Sequence, residues 1–247
     1  MPNVRVHFLG SGDAFSAGGH HHAAYFVQAP TGSFLLDCGA TTLAAMKRLA
    51  IPSAPIDSIF ISHLHGDHFV GIPFFLLEYH YEQHRERPLH IAGPPGTPER
   101  VRELFRATYK EFAGQQLPFE LQLSEMTPGT GVTLNGVHIE PFRVPHQQSE
   151  ISLGLTVHVA DRTIVYSGDT GWTEELITRS QGADLFICEC SYFETRQPFH
   201  LDYPRLAEHR ARFGAKRMVL THLGREVLAR ASEIEMELAS DGLVIEL

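Results

Sequence analysis

Ser62-His63-Leu64-His65-Gly66-Asp67-His68 sets four strong metal donors within six residues, directly after the apolar run Ile59-Phe60-Ile61 and around a glycine. Packing does not call for such a pattern, because imidazole and carboxylate groups are costly to bury unless they are hydrogen-bonded or coordinated. The chain is rich in histidine, 16 in 247 residues, yet its own His and Asp content predicts only roughly one chance match to His-x-His-x-Asp-His per four hundred such chains. The run is read as a metal site. A two-residue step returns side chains to the same side of an extended or turning chain, so His63 and His65 can grip one ion while Asp67 and His68 face another.

Composition bounds the rest. Hydrophobic residues at 43% and charged residues at 20% are ordinary for a globular protein and supply ample material for a core. The longest nearly apolar run, Phe69 to Leu77, is far short of the roughly 20 residues a membrane span needs. The opening Met1-Pro2-Asn3-Val4-Arg5 carries no secretory pattern, so a cytoplasmic location is expected. Cys38, Cys188 and Cys190 are an odd set, the last two too close for an ordinary zinc pair, and read as reduced structural thiols. A formal charge of −9 argues against nucleic acid as a partner, since broad binding to it draws on many Lys and Arg contacts to phosphate; a local phosphate pocket stays open. With no repeat, no run of like charge and no low-complexity linker, residues 1–247 are expected to form a single domain.

Strands are predicted at Val4–Leu9, Ala24–Gln28 and Ser33–Asp37, with turns at Gly10-Ser11-Gly12-Asp13 and Ala29-Pro30-Thr31-Gly32. Helices are predicted at Thr41–Leu49 and Val70–His84, the regular part of the second beginning after Gly71 and Pro73. Leu89–Ala92 reads as a strand. The next helix has Thr97 as its cap, Pro98 in its first position, and Val101, Leu104, Phe105 and Thr108 on one face. A strand-rich section from Phe119 to Ser167 carries the turns Pro128-Gly129, Asn135-Gly136 and Ala160-Asp161-Arg162. Helix (Thr173–Ser180), strand (Asp184–Glu189), helix (Tyr203–Phe213), strand (Arg217–Thr221) and a helix after Gly224 complete the pattern. Two sheets packed face to face with helices outside are implied.

Three further donors stand at the ends of predicted strands beside Gly or Pro: His146 in Val144-Pro145-His146, Asp169 in Ser167-Gly168-Asp169, and His222 in Leu220-Thr221-His222. Taken singly, each is an ordinary turn or cap residue. Their order after the cluster resembles the metallo-β-lactamase superfamily across nearly the whole chain, and Leu35-Leu36-Asp37-Cys38-Gly39 is similar to the Asp-bearing turn that precedes the cluster there. The resemblance implies an α/β (α+β) fold, a four-layer αββα sandwich with the site along one edge. It implies that His63, His65 and His146 bind a first metal, that Asp67, His68 and His222 bind a second, and that Asp169 bridges them. Two divalent ions are expected; donors without thiolate favour Zn²⁺, with Mn²⁺ or Fe²⁺ as alternatives. Asp37 is expected to orient a ligand histidine rather than to bind metal.

Two such ions acidify a bridging water and stabilise charge on an attacked phosphoryl or carbonyl oxygen, which makes a hydrolase. Glu189 in Cys188-Glu189-Cys190-Ser191, followed by His200 in Pro198-Phe199-His200-Leu201, resembles the pair that protonates the departing oxygen in the ribonuclease Z-like branch. An alkoxide leaves poorly without such an acid. Asp67, His200 and Glu189 are accordingly assigned to the chemical step, Asp67 doubling as a ligand. Departures from that branch count equally. Its tRNA-binding arm would fall between His146 and Asp169, where a plain hairpin is predicted, and Leu223-Gly224-Arg225 stands where an aromatic residue and a serine are usual. The function expected is hydrolysis of a small phosphodiester by a metal-bridging hydroxide, with His200, held by Glu189, as general acid. Carboxylic ester or lactone hydrolysis, tRNA 3′ processing and non-catalytic metal binding are the alternatives.

Arg143, Arg196 and Arg225 are candidates to hold phosphate, and His20-His21-His22 is read as a solvent-exposed loop. The partners expected are a small-molecule phosphodiester, no membrane, and a second copy of the chain, since relatives in this superfamily often form homodimers.

Overall fold

The computed structural model describes residues 4–247; Met1, Pro2 and Asn3, part of the segment read above for a leader, lie outside them. The chain opens with the antiparallel strands β1 (Arg5–Gly10), β2 (Ala24–Ala29) and β3 (Gly32–Leu36). It continues through α1 (Thr42–Arg48), β4 (Ile56–Phe60), α2 (Gly66–Phe69), α3 (Ile72–Leu77), β5 (Leu89–Gly93), α4 (Thr97–Thr108) and β6 (Leu121–Glu125), with β3 to β6 running parallel. The second sheet repeats the plan. Antiparallel β7 (Val132–Leu134), β8 (Val137–Val144), β9 (Ser152–Val159) and β10 (Arg162–Tyr166) come first. Then follow α5 (Glu175–Ser180), β11 (Leu185–Glu189), α6 (Tyr203–His209), β12 (Met218–Thr221), α7 (Arg225–Ala229) and β13 (Glu237–Leu238), with β10 to β13 parallel. Finally β14 (Val244–Glu246) returns to pair antiparallel with β1. Among the described residues the sheet orders are β14-β1-β2-β3-β4-β5-β6 and β13-β12-β11-β10-β9-β8-β7.

Period-two alternation decides which faces meet. Along β8, Val137, Ile139 and Val144 are buried while His138, Glu140 and Arg143 are not. Phe8, Tyr25, Phe34 and Phe60 from the first sheet share one core with Ile139, Leu155, Ile164 and Tyr166 from the second. On the outer face of the first sheet, Met46, Phe75 and Phe105 of α1, α3 and α4 pack in a second cluster. Leu176, Leu206 and Val227 of α5, α6 and α7 do the same on the second sheet. The layers are α, β, β, α, as expected. Strand β11 is buried at every position, which is why it reads as a continuous apolar run rather than an alternating one. The turn between β7 and β8 places Asn135 and Gly136 at φ 50° and 77°, the left-handed pair that Asn-Gly tolerates.

Local boundaries differ from the sequence expectation in four places. Thr97 is not the cap of α4: its hydroxyl donates to the Pro94 carbonyl, and the preceding Gly96 N–H is taken by the Glu125 carboxylate at 2.8 Å. Thr108 is exposed rather than part of the apolar face. The segment Val70–His84 is α3 followed by one π-helical turn, Glu78–Glu82, where Glu78 turns inward to Lys47. Strands β13 and β14 were not anticipated. All three cysteines are buried and free, consistent with structural thiols. Among the described residues no helix is long and apolar enough to cross a membrane.

Candidate active site

Loops leaving the carboxyl ends of β3, β4, β8, β10, β11 and β12 converge on one edge of the sandwich, the usual place for a site where parallel strands end. Two of these exits use left-handed backbone at non-glycine residues, Asp37 at φ 58° and His222 at φ 54°. Such strain costs roughly 1–3 kcal/mol and persists only where surrounding structure over-determines it.

The structure brings together all seven residues grouped from the sequence, in the same two sets. In the first, His65 Nδ1 is 3.1 Å from His63 Nε2 and 2.9 Å from His146 Nε2. In the second, Asp67 Oδ2 is 3.1 Å from His68 Nε2 and 3.2 Å from His222 Nε2. Asp169 lies between them. Its Oδ2 is 3.3 Å from both His68 Nε2 and His222 Nε2, and 3.8 Å from both His63 Nε2 and His146 Nε2.

Behind this centre, hydrogen bonds occupy the outward nitrogens. Asp37 is fully buried, accepts from Tyr166 Oη–H at 2.6 Å and Ser62 N–H at 2.7 Å, and holds His68 Nδ1 at 2.7 Å. Ser62 Oγ meets His63 Nδ1 at 3.0 Å, Ser191 Oγ meets His222 Nδ1 at 2.9 Å, and the Phe199 carbonyl accepts from His146 Nδ1 at 2.9 Å. Each of these four rings is thereby left with Nε2 inward, the arrangement that orients histidine toward a metal.

At the centre His68 Nε2 and Asp169 Oδ1 are buried with no hydrogen-bond partner among the described residues. Leaving a buried polar group unsatisfied costs about 1–3 kcal/mol. Divalent cations fit this requirement: the donors are imidazole and carboxylate, and their spacing suits a shared coordination shell. Charge points the same way. Burial pushes His63, His65 and His146 below the ordinary imidazole range, which keeps them neutral as ligands must be. Burial opposes the charged forms of Asp67 and Asp169 too, but facing histidines more than offset it and hold both carboxyls ionised. Those carboxylates in turn raise His68 and His222, the latter to about 9, against the desolvation of burial. The second set thus draws positive charge into a buried place.

A cleft of about 340 Å³ opens over the donors, with Asp13, Phe15, Tyr192, His200 and Arg225 on its walls. His200 Nδ1 lies 3.0 Å from Glu189 Oε1, and its ring centre is 4.8 Å from that of His146. Glu189 is only 1% exposed and also accepts from Thr170 N–H at 2.6 Å, Ser191 Oγ–H at 2.7 Å and Leu201 N–H at 3.3 Å. Burial lowers the His200 pKa, but the charge and hydrogen bond of Glu189 outweigh it, so the imidazole stays protonated above its ordinary value.

Of the three candidate arginines, Arg225 lines the cleft, while Arg143 and Arg196 are exposed and not on its walls. The reading of His20-His21-His22 as an exposed loop is corrected: all three are half-buried, because Asp241 accepts from His21 N–H at 2.8 Å and from Ser11 Oγ–H at 2.8 Å, and Ser11 Oγ contacts His20 Nδ1. His22 sits beside the second donor set, where burial lowers its pKa and Asp67 partly offsets the effect. Ser191, Tyr166 and the Phe199 carbonyl were missed. Only Ser191 left a trace, two residues beyond Glu189 and so on the same side of an extended chain.

The fold is shared with known proteins. The metallo-β-lactamase fold protein YhfI of Bacillus subtilis superposes with a TM-score of 0.78 over 99% of this chain and 100% of its own, at 21% identity. Human tRNase Z, short form (ELAC1), gives 0.79 over 98% of both chains at 25% identity. Ribonuclease Z of Methanothermobacter thermautotrophicus is 29% identical over 89% of this chain and 86% of its own. The chain is a hydrolase of the metallo-β-lactamase fold related to ribonuclease Z. Two of these proteins are ribonucleases by name, which sits poorly with the expectation from net charge that nucleic acid is not a partner. Residues 4–244, which take in both sheets and all seven convergent donors, match the family described as Anti-Pycsar protein Apyc1, and the chain belongs to it.

Proposed function

We propose that this hydrolase cleaves a small phosphodiester with two divalent ions, Zn²⁺ being the preferred metal. His63, His65 and His146 hold one ion, Asp67, His68 and His222 the other, and Asp169 is shared. One observation carries the choice of reaction: His200 stands at the cleft wall on a buried carboxylate, and such an acid is needed where the leaving oxygen is a poor one. When bound, the ions supply Lewis acidity, acidifying water and drawing charge from the phosphoryl oxygens. The remaining work falls to the chain. Glu189 occupies His200 Nδ1, so the proton to be delivered is on Nε2, and it passes to the departing oxygen. Asp67, on the cleft wall and kept ionised despite burial by the facing His68 and His222, accepts a hydrogen bond that orients the attacking water.

Small substrates are favoured because β9 and β10 form a plain hairpin joined at Ala160-Asp161, where a tRNA-binding arm would be inserted. Precursor tRNA is the second reading, favoured by the relatives' names. Metal-loaded protein assayed on bis(p-nitrophenyl) phosphate, a lactone panel and a precursor tRNA separates the cases. Phosphodiester turnover without tRNA trimming is expected; strong lactone turnover with negligible phosphodiesterase activity would sink the proposal.

Arg225, the one of the three candidate arginines on the cleft wall, is assigned to meet the non-bridging phosphoryl oxygens. Arg225→Ala is expected to raise KM about 10-fold with kcat within about 3-fold, since a hydrogen bond to a charged group contributes roughly 1.5 kcal/mol. Steady-state kinetics on bis(p-nitrophenyl) phosphate measure it, and an unchanged KM removes Arg225 from substrate binding.

A further inference from the structure

We propose that Glu226, in the first turn of α7, is a positioning residue that sets the loop carrying His200. The proposal rests on the general-acid reading of His200 given above. Glu226 Oε2 accepts from three consecutive main-chain N–H groups, those of Phe193 at 3.0 Å, Glu194 at 2.8 Å and Thr195 at 3.0 Å, while Oε1 accepts from the Thr195 hydroxyl at 2.5 Å. Just past the end of α7, Arg230 lies 4.0 Å over the Phe193 ring and pairs with Glu194. Gly224 lets α7 come this close, since a Cβ there would stand 2.1 Å from the Ser191 carbonyl oxygen.

The base of that loop is tied independently, by Tyr192 N–H to the Leu201 carbonyl at 3.2 Å and Tyr203 N–H to the Tyr192 carbonyl at 2.9 Å. Its outer residues Glu194, Arg196, Gln197 and Pro198 are exposed, so packing does little to hold them. The Glu226 carboxylate fixes the outgoing side, residues 193–195, while the return is held by the Gln197–His200 bridge and by the Phe199 carbonyl, which accepts from His146 Nδ1 at 2.9 Å. Misplacing a reacting group by about 1 Å can cost on the order of 10²-fold. Glu226 itself borders the cleft next to Arg225, and the role assigned to it is exercised through His200.

The test uses metal-saturated enzyme and a series of aryl methyl phosphodiesters whose leaving phenols run from p-nitrophenol to unsubstituted phenol. Glu226→Ala is expected to lower kcat on the poorest leaving group by about 10- to 100-fold and on the p-nitrophenyl ester by less than about 3-fold. Glu226→Gln keeps an oxygen for the three amides while losing the charge, and is expected to restore rates to within about 3-fold of the parent across the series. Thr195→Val removes one of the four hydrogen bonds, and should reproduce the selective slowing at about 2- to 5-fold if the alanine variant fails to fold. Equal slowing of both ends by Glu226→Ala, or none, while His200→Ala still discriminates, overturns the positioning role alone. If His200→Ala itself slows both ends equally, the general-acid reading falls and the positioning role falls with it.

Discussion

Asp169→Ala is expected to lower kcat on bis(p-nitrophenyl) phosphate by at least about 10³-fold, and to drop bound metal below two ions per chain. Asp169 faces both donor sets: its Oδ2 lies within 3.8 Å of four imidazole nitrogens, two in each. Removing it takes a donor from each ion at once. Lewis acidity contributes several kcal/mol to stabilising the transition state. At 1.36 kcal/mol per tenfold in rate, losing about 4 kcal/mol is roughly a 10³-fold effect. Metal content per chain after reconstitution, read beside kcat, checks the prediction, with circular dichroism to show that the sandwich persists. A variant that keeps two ions and a rate within tenfold of the parent contradicts the shared position given to Asp169.

The second large effect is selective. His200→Ala is expected to slow diesters with unactivated leaving groups by about 10²- to 10⁴-fold, the usual contribution of a general acid, and p-nitrophenyl esters by less than about tenfold. The reason lies in what the histidine touches. Glu189 holds Nδ1 and raises the pKa, so the ring is a proton donor in place before the substrate arrives. p-Nitrophenolate departs without help, whereas an alkoxide does not. The slope of log kcat against leaving-group pKa is the readout: it should steepen in the variant, and a parallel offset would remove the acid role.

Much of this was legible in the chain. The donors at His63 to His68 stood out because packing offers no use for four such groups together, and His146, Asp169 and His222 because each ends an apolar strand. The αββα layering followed from two successive passages of alternating strands into alternating helix and strand. What escaped has physical causes. Strands β13 and β14 are two and three residues long and exist only because β12 and β1 offer open edges, which no local pattern announces. Tyr166 and Ser191 read as ordinary residues; they matter because Asp37, 129 residues away from Tyr166, and His222, 31 from Ser191, come to lie beside them. Asp241, which draws His20 and His21 inward, is 220 residues from His21, so an exposed loop was the natural reading of three polar residues after two glycines. Glu226 is similar: a glutamate opening a short helix has no signature for three amides that arrive from another loop.

The two donor sets are each drawn from both sheets. Residues 63–68 leave the first, whereas His146, Asp169 and His222 leave the second. On the two-ion reading, neither sheet can hold an ion pair by itself. Hydrolytic capacity then belongs to the closed pair of sheets and to neither sheet alone, so any change that loosens their packing loosens both donor sets together.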